Sequence, residues 1–198
     1  MLNKTLLLGM LSLSTSIYAN DSLNELNNLL TCRAWQNTAQ PVLRLFDHGM
    51  DVTARDQKMR QQLKKDFKDI SPNVDDDAEG SLIYQFKATS ATQRIKGFNF
   101  SDFHGYGHYL NVQMTGDIHA HQQQLETAQY RFKKLPQSQL KKLPHPFSPM
   151  AIVKGKEVYA NYMYLMSKNI EGVTYYVALY PSVTQPTQYI AQCGVTLS

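Results

Sequence analysis

The chain has 198 residues, 42% of them hydrophobic and 18% charged, and a formal net charge of +4. So small a basic excess argues against a nucleic-acid partner, which calls for concentrated positive charge. Beyond the first nineteen residues no segment is apolar enough to cross a membrane, so the mature chain is expected to have no transmembrane segment and to be soluble.

The opening segment, MLNKTLLLGMLSLSTSIYA, has an early Lys4, an apolar run from Leu6 to Leu13 and a small, polar stretch ending at Ala19. That is the layout of a secretory signal peptide, and the run is too short for a stable spanning helix. Residues 1–19 are therefore read as a signal peptide cleaved after Ala19, and 20–198 as a single α+β domain. No Cys follows the cleavage point, which excludes a lipoprotein signal. Removing nineteen residues from 198 leaves 179, enough for one sizeable core, and losing Lys4 takes the net charge from +4 to +3.

The next part reads as helices. Ser22 and Glu25 form a capping box, followed by Leu23, Leu26, Leu30 and Ala34 at helical spacing. PVLRLFDHG, with Pro41 in its first turn and Gly49 at its end, predicts a second, short helix. Thr53 or Asp51 caps a third, with a stripe of Met59, Leu63, Phe67 and Ile70 among Arg60, Lys64, Lys65 and Lys68. SPNVDDDAEG closes this region. SLIYQFKA, TQRIKGFNF and YGHYLNVQM then read as strands, rich in β-branched and aromatic residues. Gly116-Asp117 marks a strand stop and a helix N-cap, and Ile118, His121, Leu125 and Ala128 make one stripe of an inserted helix at about 117–129. RFKKLPQSQLKKLP and the Pro-rich stretch from Pro136 to Pro149 read as a basic, irregular loop. MAIVKG, EVYANYMYLMS, VTYYVALYP and TQYIAQCGV follow as strands with short breaks, which imply antiparallel neighbours. The expected architecture is α+β: N-terminal helices packed on a mainly antiparallel sheet, with no repeat and no interdomain linker.

The mature chain has two cysteines, Cys32 and Cys193. In an oxidising compartment an even pair reads as a disulfide, which removes both as nucleophiles. With the signal, the single bridge suits a Gram-negative periplasm, or secretion by another route.

Four histidines, His104, His108, His119 and His121, fall within nineteen residues. On a helix His119 and His121 lie roughly 200° apart and cannot ligate one ion. His104 and His108 flank a GlyTyrGly turn, with Asp102 and Asp117 as the nearest carboxylates. No metal and no cofactor is expected. Ser101, Asp102 and His104 stand close together, but adjacency is not triad geometry and there is no G-x-S-x-G elbow. NVDDDAEG fails the EF-hand pattern, with Ala78 in the place of the required Gly.

Two features suit recognition. Arg131, Lys133, Lys134, Lys141 and Lys142 form a basic stretch with Tyr130 and Phe132 that can meet an anionic envelope polymer. Seven tyrosines crowd the last strands. Tyr162 and Tyr164 share a face by alternation, Tyr175 and Tyr176 take opposite faces, and some must therefore face outward. Tyr162, Tyr164, Tyr175, Tyr176 and the five basic residues are the candidate binding residues, and no catalytic residue is assigned. The expected function is non-enzymatic binding of another envelope or secreted protein, as an inhibitor, immunity or envelope-accessory protein. The alternative is a small envelope enzyme or metal-binding protein built on His104 and His108.

Overall fold

Thr53 starts the longest described helix. Its side-chain oxygen accepts the Asp56 N–H at 3.1 Å, and the Asp56 carboxylate accepts the Thr53 N–H at 3.1 Å. This reciprocal cap satisfies two otherwise orphaned donors and is worth about 1 kcal/mol. The computed structural model describes residues 24–35, 39–46, 53–71, 81–103, 107–143 and 149–197. Within them α1 covers residues 24–30, α2 Ala39–Phe46, α3 Ala54–Asp66, α4 Ile118–Leu125 and α5 Gln137–Leu140. The strands are β1 (Phe67–Asp69), β2 (Ser81–Ala88), β3 (Ile95–Phe103), β4 (Gly107–Thr115) and β5 (Lys133–Pro136), then β6 (Met150–Val153), β7 (Lys156–Tyr159), β8 (Tyr162–Ile170), β9 (Val173–Pro181) and β10 (Gln188–Leu197). The signal-peptide segment, the Ser22 cap, Asp51 and NVDDDAEG lie outside the described residues.

Eight strands form one sheet in the order β1-β2-β3-β4-β10-β9-β8-β5, every neighbour antiparallel, and β6 and β7 make a separate hairpin. The class is α+β, as the strand-rich second half implies. β10, the last strand in chain order, lies inside the sheet between β4 and β9 and joins two meanders. Period-two alternation splits the sheet into two faces. On the first, Phe86, Phe98, Phe100, Leu110, Val112, Met114, Val177 and Leu179 meet Leu26, Leu29, Val42, Met59 and Leu63 from the helices in the main core. On the second, Met163 and Ala178 pack with Leu135, Leu140 and Ala160 in a smaller core.

Cys32 and Cys193 are bonded, with Cα atoms 5.7 Å apart, and both are fully buried. The bridge ties the turn after α1 to the middle of β10. Cys32 has φ +58°, a left-handed conformation unfavourable for a residue with a Cβ, and the covalent bond holds it there.

Four expected elements come out differently. The third helix stops at Asp66, so Phe67 belongs to β1 and Ile70 is exposed rather than part of the stripe. The cause is β2: the Thr89 N–H and hydroxyl both reach the Asp66 carbonyl, and Phe67 pairs with Ala88. EVYANYMYLMS is not one strand. It breaks where the Ala160 N–H bonds to the Pro149 carbonyl and the Asn161 carbonyl takes the Gln137 N–H. The basic stretch is not an irregular loop, because Leu135 and Leu140 are buried in the smaller core and carry β5 and α5 with them. The inserted helix ends at Leu125 rather than near residue 129.

Candidate functional site

β5 is an edge strand of the sheet, and its register against β8 sets Lys134 opposite Tyr164 and Pro136 opposite Tyr162. These three polar or aromatic side chains share the first face because alternation sends Leu135 and Met163 to the other. Lys134 Nζ lies over both rings, 4.6 Å from the Tyr162 centroid and 5.6 Å from that of Tyr164. The rings themselves meet edge to face at 5.4 Å. His119, exposed on α4, lies 6.2 Å from Tyr164 with its ring tilted, and Gln123 contacts His119 Nε2 at 3.1 Å. Burial, then the neighbouring Tyr164 and Asp117, pushes the Tyr162 hydroxyl above the usual tyrosine range, so it remains a donor.

Further along β8 on the same face, Lys168 donates to the Tyr130 hydroxyl at 3.1 Å and lies 5.1 Å over its ring. Trp35 meets Tyr130 at 5.4 Å and Tyr175 at 6.1 Å, both edge-on. The result is a stripe along β8 of half-buried tyrosines, each cluster topped by a lysine. A cation over a ring is worth about 0.5–1 kcal/mol at an exposed site, and the aromatic faces give large contact area at low entropy cost.

The other expected binding residues are dispersed. Tyr176 is fully buried on the second face and belongs to the packed interior, not to an exposed row. Tyr175 is half-buried against Trp35. Lys133 is exposed on the face opposite Lys134, Lys141 lies over the Tyr159 ring at 5.9 Å, and Arg131 and Lys142 are exposed. Only Lys134 of the five basic residues joins Tyr162 and Tyr164. Lys168 and His119 are not among the expected binding residues, whereas Tyr130 is read from the sequence together with the basic stretch. The one signal for Lys168 is its period-two spacing from Tyr164.

His119 and His121 point apart: His119 is exposed, whereas His121 is buried. His121 Nε2 faces the Thr31 carbonyl at 3.1 Å, and its Nδ1 faces the Tyr189 hydroxyl at 3.0 Å. A carbonyl only accepts, so Nε2 carries the proton and Nδ1 accepts from Tyr189. Tyr189 in turn accepts from Arg94 Nη2 at 3.0 Å. Burial lowers the His121 pKa to about 4 against the Thr31 hydrogen bond, with the Arg94 and Arg33 charges adding to the lowering. This chain pins α4 and the turn after α1 to β10.

His108 is half-buried on β4, its ring 6.0 Å from that of Phe100, and its backbone pairs with Asp102. His104 and the Asp102 side chain lie outside the described residues. Asp117 caps α4 by accepting the His119 N–H at 2.8 Å. Ser101 is buried on the second face, two positions from the Asn99 amide. Among the described residues no group of three or more His, Cys, Asp and Glu side chains is placed to hold a metal ion. Nor is any helix among them long and apolar enough to cross a membrane.

No protein-family model matches the chain, and neither a curated protein nor a solved structure was found to be similar to it.

Proposed function

We propose that this protein is a non-enzymatic binding protein of the Gram-negative periplasm, or otherwise secreted, of the inhibitor, immunity or envelope-accessory type. Its docking surface is the β5–β8 edge, and its partner is another envelope or secreted protein that presents carboxylates there. The observation that carries this reading is Lys134 Nζ, on the edge strand β5, lying over two half-exposed tyrosine rings of the neighbouring β8. Aromatic and cationic side chains held together in this way favour recognition, since they combine contact area with a charge that selects acidic surfaces. An edge strand carrying lysines and a proline resists plain strand addition, so side chains rather than backbone are the recognition elements.

The test is cross-linking of the 20–198 chain in periplasmic extract, with the captured protein identified by mass spectrometry. The Tyr162→Ala, Tyr164→Ala, Lys134→Gln triple variant is compared with the native chain. Capture should fall at least about tenfold, equivalent to 1.4 kcal/mol, while the melting temperature changes little. Undiminished capture, or loss that merely follows a falling melting temperature, would sink the reading.

A further inference from the structure

The second face of the sheet carries an amide ladder across four strands. Gln85 of β2 stands opposite Asn99 of β3, Asn99 opposite Asn111 of β4, and Asn111 opposite Gln192 of β10. Sheet faces that pack on a core are apolar. Here the positions on the helix side are Phe86, Phe98, Phe100, Leu110 and Val112, whereas the intervening ones are amides. Gln192 is buried, and Asn111 Oδ1 is buried without a hydrogen-bond partner among the described residues. A buried acceptor left unmatched costs about 1–3 kcal/mol, which makes this row a poor choice for stability alone.

An open groove of about 660 Å³ adjoins this ladder, lined by Gln85, Asn99, Gln113 and Gln188 from the sheet and Gln185 from the β9–β10 connection. That volume falls within the ~300–1,000 Å³ range of ligand sites. The β9–β10 connection is held in place by its own bonds: the Gln185 N–H to Ser182 Oγ at 3.1 Å and the Gln188 N–H to the Gln185 carbonyl at 2.9 Å. A β-bulge shapes the rim. Ile95 pairs with Met114 and Gly97 with Gln113, so Lys96 is the extra residue and turns onto the same face as Gly97. Lys87 stands opposite Gly97 across the strand pair. A Cβ at Gly97 would come within 2.6 Å of the Phe86 carbonyl oxygen, so only glycine fits, and the floor between Lys87 and Gln113 is left without a side chain. Among the described residues the lining contains two lysines, Lys87 and Lys96, and no carboxylate.

We infer that this groove binds a short stretch of an acidic polysaccharide, a chain of sugars bearing carboxylates. Each amide offers a donor and an acceptor together, which matches sugar hydroxyls, themselves both donor and acceptor. Lys87 and Lys96 meet the carboxylates, and exposed Ile70 on the wall meets the C–H face of a ring. A peptide strand is recognised through backbone groups at a sheet edge. This groove lies on a face, with amides where side-chain pockets would be needed. The site is separate from the β5–β8 edge, at the other end of the sheet and on its other face.

The test titrates the folded 20–198 chain with tetragalacturonate, with maltotetraose as its uncharged counterpart and with tetraglutamate as an acidic peptide, by calorimetry and ligand-observed NMR. Tetragalacturonate should bind saturably, at least about tenfold more tightly than either of the other two. Lys87→Gln should weaken it several-fold and Lys87→Gln with Lys96→Gln about tenfold or more. Asn99→Ala with Gln113→Ala should weaken it with the salt dependence unchanged. Tyr162→Ala with Tyr164→Ala, which removes the proposed protein-docking surface, should leave it intact. Because Lys96 Nζ also bonds the Ala91 carbonyl at 2.5 Å, the single Lys87→Gln variant separates charge from folding. Absence of saturable binding overturns the inference. So does equal binding of tetraglutamate, which would make the groove an acidic-peptide site, and so does equal binding of maltotetraose.

Discussion

His121 is neutral in the folded chain and takes up a proton readily once unfolded, so stability must fall in mild acid. Its ordinary pKa of 6.5 drops to about 4 on burial. For a base whose folded pKa is depressed, the contribution is complete above the unfolded value and is lost as pH falls from there toward the folded value. The whole interval corresponds to roughly 3 kcal/mol, with about 2 kcal/mol gone by pH 5 and most of the rest by pH 4. The geometry explains the size. Protonating Nδ1 sets an N–H against the Tyr189 hydroxyl hydrogen, and Arg94 and Arg33 already place positive charge nearby. The assay is urea unfolding at pH 7.5 and pH 5, the latter chosen to lie above most carboxylate titrations, paired with an NMR titration of the His121 ring. His121→Gln is less stable at pH 7.5 but should lack this acid-dependent loss. A native-state His121 midpoint near 6.5, or an unchanged loss between the two pH values in His121→Gln, would refute the reasoning.

Reducing the Cys32–Cys193 bridge, which closes a separation of 161 residues, should cost about 5 kcal/mol in the chain-entropy picture, read as a lower urea midpoint in dithiothreitol. Tyr176→Ala should destabilise by about 3–5 kcal/mol as a core truncation, whereas Tyr162→Ala should cost far less because that ring is half-exposed; calorimetric melting of the two variants separates them. Gly194→Ala should destabilise by about 3 kcal/mol, since its Cβ would come within 2.3 Å of the His108 carbonyl oxygen, and the same melting experiment measures it.

Local chemistry was legible wherever it decided the outcome alone. Asp117 announces α4, and the 118–121–125 stripe correctly sends His121 and Leu125 inward and His119 outward, because 3.6 periodicity needs no tertiary partner. The cysteine pair was likewise readable. What failed was decided at a distance. Phe67 continues the helical stripe of Met59 and Leu63, yet Thr89 and Ala88, more than twenty residues on, capture its neighbourhood for a strand. The basic stretch looked like a loop because its lysines outnumber its leucines, although Leu135 and Leu140 had a second core waiting. At the candidate site, period two placed Tyr162 with Tyr164 but said nothing about which strand lies beside them, so Lys134 stood out no more than Lys133. The amide ladder is invisible without register: Gln85, Asn99, Asn111 and Gln192 look like unrelated polar residues until the strands align.

β10 arrives last and belongs in the middle. Thr115 pairs with Gln188 and Gly107 with Thr196, so its contacts with β4 span 73 to 89 residues. Until it is made, β4 and β9 present two unpaired edges to whatever is nearby, and each is an adhesive template for another chain. Contacts of such long reach also form slowly. A nascent copy therefore passes through a window in which two half-built sheets must be kept from pairing with neighbours rather than with their own missing strand. A chain cut short before Gln188 is not a weaker version of this protein but a sticky one, and the cell has to shield that interval or degrade what emerges from it.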